Sequence, residues 1–577
     1  MNQIPKIIAR ADENEQLYYD KLHQEKYRDT NQSFILHCSQ IADRLGSTEL
    51  HREEIFNALI DRRFLPAGRV QAALGATERE VSPFNCSVSQ RIDDSMDSIM
   101  DALSNAARIL RLGTGIGYNF SSLRPRGAEI KKLKTESSGP LSFMKMFDVM
   151  ASTIASSGHR RGAQMGIMNV SHPDIEAFVD AKMVKDVYRQ FNLSVGVTDE
   201  FMGAVQNKAD WPLSFEGKIY KTIKAQELWE KITKNAYYSA EPGIIFIDRL
   251  NSHNNLHYCE KIEATNPCSE QPLPPYGLCL LGSFNLVAYL YPSGEGRYSF
   301  NYSTYIEDIE TFVKAYDNIY EQSNYAIPEH KEEAINKRRM GLGLTGIANA
   351  IELMVGKASY GEELFCKHLD KICDTLTNYA YYYSAQLAKE RGAFNLYQKD
   401  YLNSKFIETL NPKTIEEIVK HGIRNSHLIS YAPCGTISQC AGNVSSGVEP
   451  VFYYKQDRDV HMKDGKIKVT LNDYNVRNYG FMGKTLEHCS VDDHLNVAKI
   501  IQKYTDSAVS KTINVPSNCT YENYEKIYLE AYKIGLKGIT VYRPTELRGS
   551  VITAAKEETK VERTFENAHC ANGACAL

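Results

Sequence analysis

The chain has 577 residues, 43% of them apolar and 24% charged, with a formal net charge of −4. That balance lacks the basic excess of a nucleic-acid-binding surface, and no apolar run approaches the roughly 18 residues of a membrane-spanning helix. The first residues carry no apolar signal region, and thirteen cysteines, odd in number and irregularly spaced, do not make a secreted disulfide framework. A cytoplasmic protein with reduced thiols and no nucleic-acid or membrane partner is the expectation.

Residues 1–60 read as a polar helical region, with Phe34, Leu36, Ile41, Leu45 and Ile55 near helical spacing, and are expected only to pack. Cys86 ends a short segment just before a helix signal. Asp94, with Asp97 three residues on, opens a helix whose positions Met96, Ile99, Met100, Leu103, Ala107 and Leu110 follow the 3, 4, 7 pattern. Asp94 therefore reads most simply as its N-cap. Gly113-Thr-Gly-Ile-Gly117 imitates a phosphate loop but has no Gly-Lys-Ser/Thr sequel, so close backbone packing is the simpler reading. The basic, glycine-bearing run from Ser156 to Ala163 is either an anion site or a tight loop. Phe191 to Val197 alternates like a strand.

Residues 266–282, N-P-C-S-E-Q-P-L-P-P-Y-G-L-C-L-L-G, concentrate the reactive groups. Asn266, Cys268 and Glu270 stand at i, i+2 and i+4, so an extended backbone would turn all three to one side. Pro267, Pro272, Pro274 and Pro275 remove too many amide donors for an ordinary inner strand, which leaves a rigid extended loop. A cysteine hydrolase would need a histidine, and none lies between His257 and His330. Two readings stay open on these residues alone. One is sulfur radical chemistry, in which Cys268 becomes a thiyl, Glu270 takes a hydroxyl proton, Asn266 orients the substrate and Cys279 supplies reducing hydrogen. The other is a structural loop with buried thiols.

Further on, Tyr379 to Tyr383 fall at helical spacing and read as packing surface. In A-P-C-G-T-I-S, from Ala432 to Ser438, Gly435 frees backbone amides and Thr436 and Ser438 present hydroxyls, a combination suited to phosphate. From about Ala554 the chain is charged and without period, as a mobile tether would be, and it ends in Cys570 and Cys575 beside His569. Three ligands at a chain end make a poor zinc site, so a swinging dithiol is favoured and no metal is expected.

The segment N-P-C-S-E-Q-P-L-P-P-Y-G-L-C-L-L-G-S-F-N-L resembles the finger loop of ribonucleotide reductases, in the form found in the adenosylcobalamin-dependent class. Other family-like segments follow in one order: F-L-P-A-G-R-V-Q at Phe64, R-R-G-A-Q-M-G at Arg160, H-P-D-I-E-A-F at His172, R-R-M-G-L-G-L-T-G at Arg338, A-P-C-G-T-I-S at Ala432, S-S-G-V-E-P-V-F at Ser445 and K-G-I-T-V-Y-R-P at Lys537. The resemblance implies an α/β fold with a ten-stranded α/β barrel over residues 61–550, threaded by the finger loop. Residues 1–60 would be a short helical region without a regulatory ATP cone, and residues 551–577 a flexible tail.

It further implies reduction of ribonucleotides, with Cys268, Glu270 and Asn266 catalytic, Cys86 and Cys279 forming the redox disulfide, and Cys570 and Cys575 acting as a C-terminal shuttle. The substrate's phosphates would meet Gly435, Thr436, Ile437 and Ser438, with Cys434 standing where the family usually has Thr. Asp94 and Arg124, assisted by Arg126, would hold opposite ends of a deoxynucleotide effector. A thioredoxin- or glutaredoxin-like reductant is implied, and a homodimer is compatible. Tyr542 is followed by Arg543 where the class with a separate radical subunit has a second relay tyrosine, which favours adenosylcobalamin as cofactor. The alternatives are that two-subunit class and, of a different kind, a non-catalytic thiol-redox or metal-binding protein.

Overall fold

The structure, a computed structural model, describes residues 10–154, 163–184, 187–294, 296–462 and 465–545. Three helices come first: α1 (Glu13–Tyr27), α2 (Phe34–Leu45) and α3 (Glu49–Ile60). Each starts where a short oxygen-bearing side chain can accept an orphan amide: Asp12 from Glu15, Ser33 from Leu36 and Thr48 from His51. Strand β1 (Phe64–Pro66) and helix α4 (Gly68–Leu74) lead into β2 (Cys86–Val88), α5 (Met96–Arg111), β3 (Gly115–Asn119), β4 (Gln164–Asn169) and β5 (Phe191–Val197). Helix α6 (Asp199–Gln206) and β6 (Gly243–Phe246) follow.

Strands β2 to β6 are neighbours in chain order and all parallel. Covered on both faces, they carry apolar residues at successive positions. Met165, Ile167 and Ile245 belong to one buried cluster, with finger residues Leu273 and Leu278; Ile116, Met168, Val195 and Ile244 belong to a second, with Ile99, Ala102 and Ala106 of α5.

The second half supplies the short strands β7 (Ala264–Thr265), β8 (Pro272–Leu273) and β9 (Leu278–Cys279), then β10 (Leu281–Asn285) and β11 (Gly341–Thr345). The long helix α7 (Glu363–Arg391), the short helix α8 (Gly435–Cys440), β12 (Thr512–Asn514) and β13 (Gly538–Tyr542) complete the framework. The principal sheet has the order β9-β2-β3-β4-β5-β6-β13-β12, and β1-β10-β11 form a separate three-stranded sheet. Single bridges, Leu342 with Ile429 and Tyr431 with Val509, link β11 toward β12. No continuous sheet closes on itself among the described residues. The ladder breaks where its amides are used elsewhere: those of Leu428 and Ile429 donate to the Asp506 carboxylate at 2.6 and 3.0 Å, and that of Ala508 to the Glu270 carbonyl at 2.9 Å.

Helix α5 departs from the expectation. Its N-cap is Ser95, which accepts the Ser98 amide, not Asp94. Its buried face is Ile99, Ala102, Ala106 and Ile109, whereas Met96 and Met100 are 57% and 44% exposed. Two overlapping 3, 4, 7 stripes exist in this sequence, and the one with alanines at its middle lets the helix lie close on the sheet. Among the described residues no helix is long and apolar enough to cross a membrane.

Candidate active site

Strands β7 and β8 pair antiparallel, Ala264 opposite Leu273 and Thr265 opposite Pro272, so residues 266–271 are the tip of a hairpin. The tip is a tight turn, not the extended run expected from alternation. The Asn266 amide donates to the Gln271 carbonyl at 3.0 Å, the Ser269 amide to the Asn266 carbonyl at 3.0 Å, and Ser269 takes φ +66°. The Asn266 side-chain carbonyl accepts the Gln271 amide at 2.9 Å, which closes the turn. Asn266 and Glu270 are buried, and Nδ2 of Asn266 has no hydrogen-bond acceptor. A buried amide donor without a partner is costly unless a ligand takes it.

Glycines on β3 let the hairpin lie where it does. A Cβ on Gly117 would stand 1.8 Å from the Thr265 carbonyl oxygen, and one on Gly115 3.0 Å from Pro267 Cγ. The glycine-rich run is therefore a packing device, as expected. Asn192 of β5 donates to the Pro267 carbonyl at 3.0 Å, and the Ser430 hydroxyl to the Glu270 carbonyl at 2.9 Å, so both halves of the fold grip the tip.

Cys86 and Cys279 are directly opposite each other in the antiparallel β2–β9 pair. Both are reduced, and their side chains hydrogen-bond. Burial pushes the Cys279 thiol well above the ordinary thiol range, and Cys86 and the Glu270 carboxylate raise it further. The Cys279 sulfur is thereby held as a thiol, which suits hydrogen donation rather than metal binding.

A cavity of about 580 Å³ brings Cys86, Cys268 and Glu270 together with Ser283 and residues 432–437. Cys279 and Asn266 lie behind this lining. Cys434 is buried, with its sulfur 3.2 Å from the Ser283 hydroxyl, and burial raises its thiol also. Further wall comes from Glu25, Lys26 and Tyr27 of α1, in the N-terminal helical region, and from Arg69 of α4. The expectation that residues 1–60 only pack is thus corrected. Tyr18 of α1 also donates to Gln439 of α8 at 3.1 Å, so α1 supports the segment that carries residues 435–438.

The family described as “Ribonucleotide reductase, barrel domain” matches residues 84–481 and 476–542. The chain belongs to the ribonucleotide reductase family. It is 33% identical over 503 residues to a vitamin B12-dependent ribonucleoside-diphosphate reductase of Thermoplasma acidophilum, covering 81% of this chain and 62% of that one. It is 33% identical over 516 residues to the enzyme of the same name from Mycobacterium tuberculosis, covering 84% and 71%. A vitamin B12-dependent ribonucleotide reductase of Streptomyces clavuligerus is 27% identical over 561 residues, covering 82% and 58%.

The remaining expected site positions divide between the cavity and other places. Ser438 is buried, is not part of the cavity lining, and its hydroxyl donates to the Gly435 carbonyl at 3.1 Å. Gly435, Thr436 and Ile437 do line it. Asp94 and Arg124 meet each other directly: Nε donates to Oδ2 at 2.6 Å and the Arg124 amide to Oδ1 at 3.1 Å. They are partners here rather than two ends of a gap. Arg543, after Tyr542 in β13, stacks its guanidinium on Tyr237 at 3.8 Å and donates to the Ser517 carbonyl at 2.8 Å. Cys570 and Cys575 lie outside the described residues, as does most of the run from Ser156 to Ala163.

Proposed function

We propose that the protein reduces ribonucleotides to 2′-deoxyribonucleotides by thiyl-radical chemistry and uses adenosylcobalamin as its radical source. The observation that carries this reading is the meeting, in one cavity, of the hairpin-tip thiol Cys268, the carboxylate Glu270 and Cys86, backed by Cys279 on the next strand. The Cys268 thiyl takes the 3′ hydrogen atom, Glu270 takes the 3′ hydroxyl proton, and the 2′ hydroxyl leaves as water. Cys86 and Cys279 give up two protons and two electrons, which replace the departing 2′ hydroxyl by hydrogen with water as the by-product, and become a disulfide; Cys268 recovers its radical when the 3′ hydrogen returns. Nδ2 of Asn266, which has no acceptor, would bind a substrate oxygen. Cys268 is half-buried between the buried Asn266 and Glu270, which limits the access of water and stray thiols to the radical.

When bound, adenosylcobalamin would supply the radical that takes the hydrogen of the Cys268 thiol. Asn192, Gly243 and Thr540 are the residues that would hold it. Asn192 and Thr540 are exposed although they share the sheet face that touches Pro267, an opening next to the buried tip. Arg543, committed to Tyr237 and Ser517, takes the place of a relay tyrosine and supports a local radical source over a distant one.

The finer architecture in this reading is a ten-stranded barrel: β2 to β6 as one parallel half, and β10, β11, residues 428–431, residues 509–514 and β13 as the other. A deoxynucleotide effector would have to open the Asp94–Arg124 pair, and a second copy of the chain would cover Met96 and Met100 on α5. A thioredoxin- or glutaredoxin-like dithiol would renew the disulfide through Cys570 and Cys575. The test is anaerobic reduction of cytidine nucleotides with and without adenosylcobalamin, no second protein being added. Turnover that needs the cofactor and vanishes in Cys268→Ser, with nucleotide binding kept, is expected. Retained turnover in Cys268→Ser overturns the mechanism; turnover only with a metal-loaded partner protein overturns the cofactor assignment.

A further inference from the structure

We propose that a hydrogen phosphate ion binds at Arg62, between the N-terminal helices, and ties them to the end of α8. Neither Arg62 nor its neighbour Arg28 lines the cavity, so this site is independent of the ribonucleotide reading.

Arg62 follows α3 with φ +53°, and its carbonyl accepts from Asn285 Nδ2 at 3.1 Å. The residue is 4% exposed, and its guanidinium lies over the Phe34 ring of α2, 4.6 Å from the centroid. Its Nε has no acceptor, and among the described residues no carboxylate or carbonyl accepts from its terminal nitrogens. Arg28, also buried, lies close enough for the two charges to repel. It donates to Asp20 Oδ1 at 2.6 Å and to the Gln32 carbonyl at 3.0 Å, while its Nε too has no acceptor. Arg79 holds the backbone there by donating to the carbonyls of Lys26 and Arg28 at 3.0 and 2.9 Å. His23 packs edge-on against the same Phe34 ring at 5.1 Å and against His37 at 5.1 Å.

Nothing in this cluster balances the second arginine. Burial disfavours the Arg62 charge, but an arginine keeps its proton. Asp20 is already paired with Arg28. Cys38 and Cys440 lie in the field of both arginines, yet burial pushes each thiol up to about 12, so neither supplies a thiolate. Burial also lowers both histidines, His37 to about 4, and they stay neutral. His23 donates through Nε2 to Gln71 and His37 through Nδ1 to the Gly75 carbonyl, which leaves Nδ1 of His23 and Nε2 of His37 as acceptors without a donor. Water could meet these orphan groups but not the charge. Hydrogen phosphate meets both: its oxygens match the guanidinium fork and its O–H can donate to an imidazole, which sulfate and chloride cannot do. The Asp20 side chain, 57% exposed, gives the cluster an edge at the surface by which an ion can enter. Cys440 is the last residue of α8, so the ion would join α1, α2 and the end of α3 to that helix.

The experiment is isothermal titration of inorganic phosphate, sulfate and chloride, at constant ionic strength, into the full chain, with melting curves, for the wild type, Arg62→Met and Asp20→Asn. Phosphate should bind the wild type and raise its melting temperature, and sulfate and chloride should bind more weakly. Arg62→Met should weaken phosphate about tenfold or more, the scale of a lost charge-assisted contact. It should also melt higher than wild type in phosphate-free buffer, because a buried charge without a partner is gone. Residues 432–437 are intact in this variant, so phosphate held there is measured by what binding remains. Asp20→Asn leaves Arg28 unpaired as well and should tighten phosphate several-fold. Equal phosphate binding by wild type and Arg62→Met, or equal affinity for the three ions, overturns the inference. So does unchanged or weaker binding in Asp20→Asn, or a lower melting temperature of Arg62→Met without phosphate.

Discussion

Gly117→Ala should disable the site by moving the hairpin tip without touching a reactive group. The new methyl carbon would stand 1.8 Å from the Thr265 carbonyl oxygen, so that backbone must retreat by more than 1 Å before the contact reaches 3.0 Å. The obstacle is main chain, already fixed by the β7–β8 pairing and by the bonds from Asn192 and Ser430. Overpacking of this kind costs about 1–3 kcal/mol. Cys268 lies three residues on, and a misplacement of about 1 Å at a reacting atom costs on the order of 10²-fold in rate. Thermal melting and steady-state deoxynucleotide formation read the two effects, with Gly203→Ala as control. Gly203 sits in α6 with nothing within 4 Å of its virtual Cβ, and alanine there should leave turnover unchanged and stabilise by up to about 1 kcal/mol. Wild-type melting and turnover in Gly117→Ala would refute the packing argument.

Glu270→Gln should lower turnover by about 10²-fold or more, the scale for loss of a general base, with the melting temperature kept; a rate within a few-fold of wild type removes Glu270 from proton transfer. Glu260 governs acid stability: burial raises its carboxyl, but Arg339 and Lys337 outweigh this and hold it down to about 2. The folded protein thus binds fewer protons than the unfolded chain between about 4.5 and 2, and stability on the order of 3 kcal/mol, full above the upper value, is lost as pH falls through the lower one. In Glu260→Gln that acid limb should flatten, and unfolding at pH 7 should be easier by about 3–5 kcal/mol because two buried cations lose a partner; an unchanged pH profile in chemical denaturation would contradict this. The Cys570→Ser, Cys575→Ser double variant should complete one prereduced turnover and then stall with a protein dithiol as sole reductant, a small dithiol partly rescuing it; loss of the first turnover, or normal cycling, counts against the shuttle.

Residue types at the centre were legible because chemistry restricts them: a thiol, a carboxylate and an amide within five residues admit few uses, and the prolines marked a break in the sheet. Their conformation was not. Alternation placed Asn266, Cys268 and Glu270 on one side of an extended chain, whereas the Asn266 side chain folds back on Gln271, a local bond that period-two reasoning omits. On α5, hydropathy could not separate the stripe through Ile99 and Ala102 from the one through Met96 and Met100, because close approach rewards small residues that the pattern scores weakly. The cavity's N-terminal wall left no signal beyond Gly68 and Arg69: it is created by tertiary contact between segments some four hundred residues apart, such as Tyr18 and Gln439.

That wall bears on where the working unit begins. The family match starts at residue 84 and includes each cysteine and carboxylate assigned a reaction step within residues 86–279. A fragment cut there would look complete by inventory, yet it would lose α1 and α4, the end of α1 that Arg79 holds, and the brace on Gln439. The groups that line the cavity would lose the part of its wall that α1 and α4 supply. Shuffling, tagging or transplanting this barrel should therefore carry residues 10–83 as part of the machine, and a homologue with a different leading segment should be read as having a different substrate gate.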